Sequence, residues 1–229
     1  MQPSTTLIST DAKEPWVRRL FLPAYQVNDA ARYVGITTQT IRNWQREADE
    51  TTGSAIAPRA SREALSYLQL QELAIVAAMR ELGVKLRTIR LARDWLSFRF
   101  ALEFPFSDNR VKSDGQDILM ECDDLGGDRK LLVANKGGQF VWTEIIGNRF
   151  NEFEYEKNLA IRWHVGGANT GIIIDPRIAF GAPSIRGVPT WALRGRFTAG
   201  ETINDIAADF VIKAAEVRKA LKFEHVSIN

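Results

Sequence analysis

The sequence lacks the residues on which several classes of protein depend. Its 229 residues include one cysteine, Cys122, which excludes a disulfide framework and a thiolate metal cluster. The two histidines, His164 and His225, lie far apart in the sequence, and no Gly-x-Ser-x-Gly, His-Glu-x-x-His or P-loop motif is present. We therefore expect no enzymatic activity, no cofactor and no bound metal.

Long apolar runs are also missing. Runs such as residues 74–79 are too short to cross a bilayer, and the polar stretch 1–12 has no apolar signal core. We therefore expect no membrane partner and a cytoplasmic location. The remaining composition, 45% hydrophobic and 25% charged, is typical of a globular protein. No internal repeat or low-complexity tract is visible in the sequence.

The formal net charge of +2 conceals an uneven distribution. Residues 1–100 carry 14 basic and 10 acidic side chains, residues 101–160 carry 7 and 12, and residues 161–229 carry 9 and 6. A basic first segment, an acidic middle and a basic tail suggest parts with different partners.

The hydrophobic pattern predicts an α+β fold. Helical spacing runs from Leu22 to Phe100, short β-like runs separated by glycine pairs follow, and helical signals return after Pro189. Pro105 ends the first helical block. We expect a flexible N-terminus at 1–21, a winged helix-turn-helix at 22–103, a small mixed β-rich region at 104–168, and a short β segment plus a three-helix domain similar to a helix-turn-helix at 169–229.

Residues 27–46 have the pattern of two short helices that cross over a tight turn. Ala31 is small where the helices would touch, Gly35 suits a turn position with positive φ, and Thr37 can cap the second helix. The face not used for packing is cationic and rich in amides, and it has no acid between Gly35 and Gln45. It is either the solvated face of a helical hairpin or a surface that binds DNA, because arginine pairs with guanine and amides pair with adenine.

Further arginines follow in a loop or short hairpin that could contact phosphates as a wing. The candidate DNA-binding residues are Thr37, Thr38, Gln39, Arg42, Asn43, Arg46, Arg59 and Arg62.

Two longer helices are predicted next, at 65–82 and at about 86–100. Gly83 stands between them, where a left-handed cap is expected. Arg87, Arg90 and Arg93 recur at three-residue steps on the second helix. They form either a solvated face or a contact with phosphate or an acidic partner.

Together these segments resemble the winged helix-turn-helix of MerR-type regulators. The resemblance rests on residues 25–46 (YQVNDAARYVGITTQTIRNWQR), the helix at 65–82 and residues 83–93 (GVKLRTIRLAR). It implies DNA binding. Pro105 leaves no room for the long dimerising helix of most MerR regulators, and the isolated cysteine gives no support to metal sensing.

The middle segment carries an acidic patch without the spacing of a calcium loop, so a solvated acidic edge is expected. Its aromatic residues, including Phe153 and Trp163, are expected in a core or an interface. The acidic residues are Asp117, Glu121, Asp123, Asp124 and Asp128.

The C-terminal block begins with a segment rich in proline and glycine and ends in three predicted helices. Thr190 is expected to cap the first helix, and Thr202 with Asp205 forms a pair similar to a capping box for the second. The last helix is expected from Lys213 to about Phe223.

This block resembles the C-terminal domain of unknown function of VapB-like antitoxins. The matching motifs are IDP at 174–176, G-x-P-x-I-x-G from Gly181 to Gly187, PT at 189–190, GET with DIA at 200–207, and V-x-x-A-L-x-F-E at 217–224. The resemblance implies a type II toxin–antitoxin system whose toxin is a PIN-like ribonuclease.

Arginines of this block could pair with the carboxylates of a nuclease site, and aromatic side chains could anchor the contact. The alternative is that the aromatic residues belong to the core and the arginines are solvated. The candidate toxin-binding residues are Arg177, Arg186, Trp191, Arg194, Arg196 and Phe197.

The sequence therefore favours an antitoxin that neutralises a PIN-like toxin and represses its own operon. Operator DNA with two half-sites would require a homodimer or a larger complex of toxin and antitoxin. The alternative is a stand-alone MerR-like transcriptional regulator whose central or C-terminal region senses a ligand.

Overall fold

The computed structural model describes residues 15–46, 53–60, 62–108, 151–156 and 159–228. Within these residues the fold is α+β, as expected, with eight α-helices and two small sheets. The chain divides into two compact units. Unit 1 comprises residues 1–151 and 155–160, and unit 2 comprises residues 152–154 and 161–229.

The described part of unit 1 is mainly helical. Its elements are α1 (Pro15–Arg19), α2 (Val27–Val34), α3 (Thr38–Gln45), α4 (Tyr67–Glu81), α5 (Leu86–Phe100) and a 3-10 turn (Pro105–Ser107). The helix α1 lies inside the stretch expected to be flexible. Leu20, which follows it, is fully buried, and its carbonyl accepts a hydrogen bond from the Leu68 amide at 3.3 Å.

The corner between α2 and α3 has the predicted geometry. Gly35 ends α2 at φ +77°, and its amide donates to the Ala31 carbonyl at 2.9 Å. The Thr37 hydroxyl accepts a hydrogen bond from the Thr40 amide at 3.1 Å and so caps α3. Ala30, Ala31, Val34, Ile41 and Trp44 are buried, so the apolar spacing identified the packed face correctly.

Helix α4 is the core of unit 1. Every residue from Tyr67 to Met79 is buried, as expected for a helix covered on all sides. It begins two residues later than the predicted start because Ser66 and Gln69 form a capping box, in which each side chain binds the other's backbone amide. Leu65 instead forms a β-bridge with Tyr25.

Helix α5 matches the predicted span and buries Ile89, Ala92 and Leu96. Two of its three regularly spaced arginines make contacts inside the protein. Arg93 is buried, and its Nε lies 3.5 Å from Glu72 of α4, while Arg90 donates to the end of α3. Arg90 and Arg93 therefore fit neither of the two predicted roles, a solvated face or a contact with an external partner.

Unit 2 combines short strands with three helices. Its elements are β3 (Ile172–Ile173), β4 (Ser184–Ile185), β5 (Val188–Pro189), α6 (Thr190–Thr198), α7 (Ile203–Asp209) and α8 (Ala214–Phe223). The strands β3, β4 and β5 form an antiparallel sheet. Two further strands, β1 (Phe153–Glu156) and β2 (Leu159–Trp163), pair with each other and contribute residues to both units.

Arg186 and Gly187 join β4 to β5 with φ of +52° and +81°. Positive φ at both central residues is typical of a type I′ hairpin turn, which matches the twist of the strands. The sheet packs on the helices through a compact apolar core, which includes Ile172, Ile185, Leu193, Ile206, Val217 and Leu221.

Thr190 does not cap α6, contrary to expectation. Pro189 occupies the cap position, and Thr190 is the first helical residue. The Thr190 hydroxyl instead donates to the buried carboxylate of Glu224 at 2.5 Å, a partner 34 residues away that sequence spacing does not reveal. The predicted cap of α7 is confirmed, since Thr202 accepts a hydrogen bond from the Asp205 amide at 3.2 Å.

Phe153 and Trp163 are buried and stacked, with ring centroids 5.6 Å apart, as expected for core aromatics. The acidic patch, Cys122 and the part of the expected β-rich region at 109–150 lie outside the described residues. Within the described ranges no helix is long and apolar enough to cross a membrane, and no group of His, Cys, Asp and Glu side chains could hold a metal ion.

Two turn positions share a left-handed backbone conformation, but one holds glycine and the other holds valine, so the cost of this conformation can be tested at both. Gly35 and Val211 both have positive φ, +77° and +56°, and Val211 is 90% exposed. Left-handed backbone costs an L-residue about 1–2 kcal/mol. We expect Gly35→Ala to lower the free energy of unfolding by about 1 kcal/mol, because a Cβ there meets no atom within 4 Å and the cost is conformational.

Val211→Gly serves as the matched variant, and it should raise the free energy of unfolding. The relief of strain is partly offset by the greater entropy of glycine in the unfolded chain, so the expected gain is below about 1 kcal/mol. Thermal unfolding followed by circular dichroism measures both. Equal destabilisation by the two substitutions would contradict this account.

Candidate nucleic-acid interface and partner surface

Helix α3 and the residue that follows it present four of the eight predicted DNA-binding residues to solvent in a row along one face. Gln39, Arg42, Asn43 and Arg46 are exposed, and the Gln39 amide donates to the Asn43 side-chain oxygen at 2.9 Å. This bond orders the two amides as a pair. The guanidinium groups of Arg42 and Arg46 make no hydrogen bond or ion pair with the described part of the chain.

The two threonines at the start of α3 are placed differently. The Thr37 hydroxyl is engaged as the cap and lies 2.8 Å from the Thr40 hydroxyl, while Thr38 is half-buried. The structure therefore brings six of the predicted residues to one helix and its cap, but Thr37 already has a structural task.

The carboxyl end of α3 is held by Arg90 of α5. The Arg90 Nη2 donates to the carbonyls of Asn43 at 3.2 Å and of Arg46 at 3.1 Å. The amide of Ala55 donates to the Trp44 carbonyl at 2.8 Å. These donors satisfy carbonyls that a helix end otherwise leaves without an intrahelical partner. Both ends of the helix are therefore fixed by side chains or neighbouring backbone.

The predicted wing arginines differ in how they are held. The Arg59 Nε donates to the Gln45 side-chain oxygen at 3.0 Å, and its Nη1 binds backbone carbonyls of Ala60 and Glu63. Arg59 thus ties its loop to the end of α3. Arg62 is exposed and has φ +66°. In residues 53–60 and 62–66 the structure contains no pair of strands that would form a hairpin.

The loop after α3 is anchored to a buried carboxylate. The Ala57 amide donates to Glu72 at 2.6 Å, and the Arg93 guanidinium lies 3.5 Å from the same group. Burial raises the pKa of the Glu72 carboxyl, while Arg93 and the backbone donors oppose that rise. Sequence reasoning missed Glu72, which stands within the apolar pattern of α4.

In unit 2, Arg177 pairs with a carboxylate two residues before it. Asp175 is fully buried and accepts from the Arg177 amide at 2.9 Å and from its Nη2 at 2.7 Å. The Arg162 Nε also donates to it, at 3.2 Å. Burial raises the pKa of the Asp175 carboxyl, but the hydrogen bonds and charges of the two arginines outweigh it, and the pKa lies below its usual value.

The other three candidate arginines also pair within unit 2. Arg186 is 2.9 Å from Glu216, and Arg194 is 3.1 Å from the buried Glu224. Arg196 binds Glu201 and Asp209 and lies over the Phe210 ring, 5.4 Å from its centroid. The hydrogen bonds that Arg196 donates to Glu201 and Asp209 raise its pKa.

The two candidate aromatic residues differ in exposure. Trp191 in the first turn of α6 is 57% exposed, whereas Phe197 is half-buried and packs against the core of unit 2. Phe197 therefore contributes to the core, and Trp191 is available to a partner.

A further charged group in unit 2 was not predicted. Glu154 accepts hydrogen bonds from Arg162 at 2.6 Å and lies 2.8 Å from His164 Nε2. Burial raises the pKa of Glu154, yet the hydrogen bonds from His164 and Arg162 leave it lowered. Spacing along the chain carries no signal for this group, because its members pair across β1 and β2.

Comparison with known proteins shows what the chain is similar to. Residues 172–223, from β3 to the end of α8, match the family model "Protein of unknown function (DUF433)". The chain is 24% identical over 228 residues to a protein of Mycobacterium tuberculosis (strain ATCC 25618 / H37Rv) named "Putative antitoxin VapB45", and the match covers 89% of this chain and 94% of that protein. The chain is thus similar to an antitoxin along most of its length.

The fold agrees with a solved structure. The crystal structure of Rv2018 from Mycobacterium tuberculosis is similar with a TM-score of 0.69 and 21% identity, and the match covers 89% of this chain and 99% of that one. The antitoxin-like character expected from the C-terminal motifs is supported by the family match of residues 172–223 and by the similarity to the protein named "Putative antitoxin VapB45". The MerR-like module and the pairing with a PIN-like toxin stay predictions.

The Asp175 cluster makes a prediction about stability and pH. Asp175→Asn should lower the free energy of unfolding by about 1–3 kcal/mol, because two arginines would then face an uncharged acceptor. A carboxyl with a lowered pKa contributes stability above its ordinary pKa of 3.8, and this is lost as the pH falls through the folded-state value. The difference in the free energy of unfolding between wild type and variant should therefore decrease below about pH 3.8.

Chemical denaturation at about pH 7 and about pH 3 measures this gap. Glu63→Gln, which removes an exposed carboxylate before α4, is the control and should change stability little. A gap of the same size at both values of pH would contradict the assignment.

Proposed function

We propose that this protein is the antitoxin of a type II toxin–antitoxin system. In this proposal it binds operator DNA through a winged helix-turn-helix that includes α2 and α3, and it neutralises a PIN-like ribonuclease through unit 2. The observation that carries the proposal is the similarity to a protein named as an antitoxin, which extends over 89% of the chain. The function is that of a regulatory binding protein, without catalysis.

The exposed face of α3 supports the DNA-binding part. Arg42 and Asn43 are adjacent and exposed on a helix whose two ends are fixed, which suits side chains that must meet base edges in a defined register. Arginine can bind guanine with two hydrogen bonds, and an asparagine amide can do the same with adenine. Arg46 and Arg62 are placed as phosphate contacts in this proposal.

Operator binding is tested by replacing Arg42 and Asn43 with alanine together. We expect sequence-selective binding to the promoter DNA upstream of the gene to weaken by about 1–3 kcal/mol for each base that the variant can no longer bind. Thermal stability should be unchanged, because both side chains are exposed. Gel-shift competition against a scrambled duplex measures the selectivity.

Arg18→Ala, at an exposed position of α1, provides the charge control. It should retain full selectivity. If the Arg42 and Asn43 variant also retains its preference for promoter DNA, then α3 does not read the operator.

The contacts within unit 2 rank the candidate toxin-binding arginines. Removing an arginine from a buried carboxylate leaves an uncompensated charge, which is strongly destabilising. Arg177 and Arg194 pair with the buried Asp175 and Glu224, so both are poorly placed to exchange partners. Arg186 is 67% exposed, and exposed pairs contribute only about 0–1 kcal/mol. Arg186 can therefore leave Glu216 for a carboxylate of the toxin.

Trp191 complements Arg186 as an apolar anchor. Tryptophan and arginine are enriched among the residues that dominate the energy of protein interfaces. The proposal therefore places the toxin contact around Arg186 and Trp191 and leaves Arg177, Arg194, Arg196 and Phe197 as structural supports.

Neutralisation is tested by Trp191→Ala in cells that also express the proposed PIN-like toxin. We expect the free energy of binding to the toxin to weaken by at least about 2 kcal/mol, because a large exposed aromatic anchor is removed. Co-purification and rescue of growth measure the loss.

Phe98→Ala is the matched control, since Phe98 is a large aromatic side chain that is 90% exposed on α5 of unit 1. It should bind and rescue normally. Rescue by the Trp191 variant at wild-type level would place the toxin contact elsewhere.

A further inference from the structure

The helix pair α2–α3 of unit 1 has a counterpart in the helix pair α7–α8 of unit 2. Residues 27–46 align without a gap on residues 203–222, at a constant offset in number. Five of the twenty positions are identical, namely Asn28 and Asn204, Asp29 and Asp205, Ala31 and Ala207, Ile36 and Ile212, and Arg42 and Arg218. The repeat does not stand out in the sequence, because this identity is low and the segment is short.

The backbone supports the alignment. Gly35 and Val211 occupy the same position, and both have positive φ, +77° and +56°. The bond that closes the turn is also shared, since Ile36 donates to Ala31 and Ile212 donates to Ala207, each at 3.0 Å. The residues before the helices correspond as well, Gln26 with Thr202 and Thr37 with Lys213.

Burial follows the same register. The positions that hold the two helices together are buried in both pairs: Ala30 and Ile206, Ala31 and Ala207, Ile41 and Val217, and Trp44 and Ala220. The positions on the outer face of the second helix are exposed in both pairs. The aligned residues are Gln39 and Ala215, Arg42 and Arg218, Asn43 and Lys219, and Arg46 and Lys222.

The outer face of α8 is cationic. Arg218, Lys219 and Lys222 are exposed, and the only acid of this helix, Glu216, is turned toward Arg186 and the Lys213 amide, at 2.9 and 2.8 Å. The Lys219 ammonium donates to the Asn169 carbonyl at 3.0 Å, which does not neutralise its charge. The acids of α7 that lie nearby in sequence are also engaged, Asp209 with Arg196 and Asp205 with Thr202.

We propose that the Arg218, Lys219 and Lys222 face of α8 is a second surface for duplex DNA, which contacts phosphates while α3 reads the operator. The inference rests on the DNA-binding part of the proposed function. The chemistry favours DNA over protein. Lysine is depleted at protein interfaces, and this face carries no aromatic or large aliphatic anchor, whereas phosphate contacts rely on lysine and arginine. The small, exposed Ala215 leaves space for close approach of the helix to the duplex.

The proposal separates the two faces of unit 2. Trp191 and Arg186 belong to the proposed toxin surface, while the α8 face is assigned to nucleic acid. Because phosphates carry no sequence information, the α8 contact should strengthen binding to every duplex and leave selectivity to α3.

The test is the full chain with Arg218→Ala and Lys222→Ala together. Fluorescence anisotropy measures binding to a promoter duplex and to a scrambled duplex of equal length between about 50 and 200 mM salt. Each phosphate contact contributes about 0.9 to the slope of log K against log salt, so the slope should fall by about 2. Affinity near about 0.1 M salt should fall roughly 10- to 100-fold for both duplexes.

The matched control carries Ala199→Glu and Ser227→Glu, which lower the net charge by the same amount at exposed positions of unit 2 outside α8. Circular dichroism verifies that both double variants fold. The control should lose much less affinity, and its salt slope should stay near that of wild type. Wild-type affinity and slope in the Arg218 and Lys222 variant would overturn the proposal.

Repeating the test in the Arg42→Ala, Asn43→Ala background separates this inference from operator reading by α3. Residual non-selective binding that disappears when Arg218 and Lys222 are also replaced supports the α8 surface. If the α3 variant keeps its selectivity while the α8 variant loses affinity, operator reading by α3 is wrong and the α8 surface stands. If the α8 variant binds DNA normally but no longer binds the toxin, the face belongs to the protein partner and the inference is wrong.

Discussion

The position of the proposed DNA-reading helix depends on one buried ion pair. Glu72 lies fully buried in α4, where it faces Arg93 of α5 and accepts the Ala57 amide. Arg90, one turn earlier on α5, donates to the last carbonyls of α3. Because a buried carboxylate is costly unless it is paired, its partners have little freedom to move. An exposed helix is thus held in place through contacts that lead back to the core.

Unit 2 uses buried carboxylates in the same way. Asp175 accepts hydrogen bonds from Arg162 and Arg177, and Glu224 accepts them from Thr190 and Arg194. These contacts stabilise the turn-rich segment and join α6 to the end of α8. They also divide the basic side chains of the unit into those that hold the fold together and those that remain available to a partner. The repeated helix pair adds a second division, between the proposed toxin surface and the proposed DNA surface.

Much of the helical architecture could be predicted from local sequence. Gly35, Thr37, Thr202 and Gly83 mark helix ends through backbone conformation or hydrogen bonds that span only a few residues, and the structure has them there. The exposed face of α3 followed from the same periodicity. The roles of Arg59, Arg93 and Thr190 did not, since their partners lie 14, 21 and 34 residues away. The repeat of α2–α3 in α7–α8 became recognisable only when φ, burial and the closing hydrogen bond agreed.

The sequence by itself determined the α+β class, the tight corner before α3 and the resemblance of the C-terminal block to VapB-like antitoxins. These features rest on local spacing and on motifs, which a chain displays before it folds. Only the tertiary structure decided which charges are available. Arg186 and Arg194 look alike in the sequence, yet Arg186 pairs with Glu216 at the surface and Arg194 pairs with the buried Glu224. The free energy of an ion pair depends on how far its partners are removed from water, and burial is a property of the folded chain.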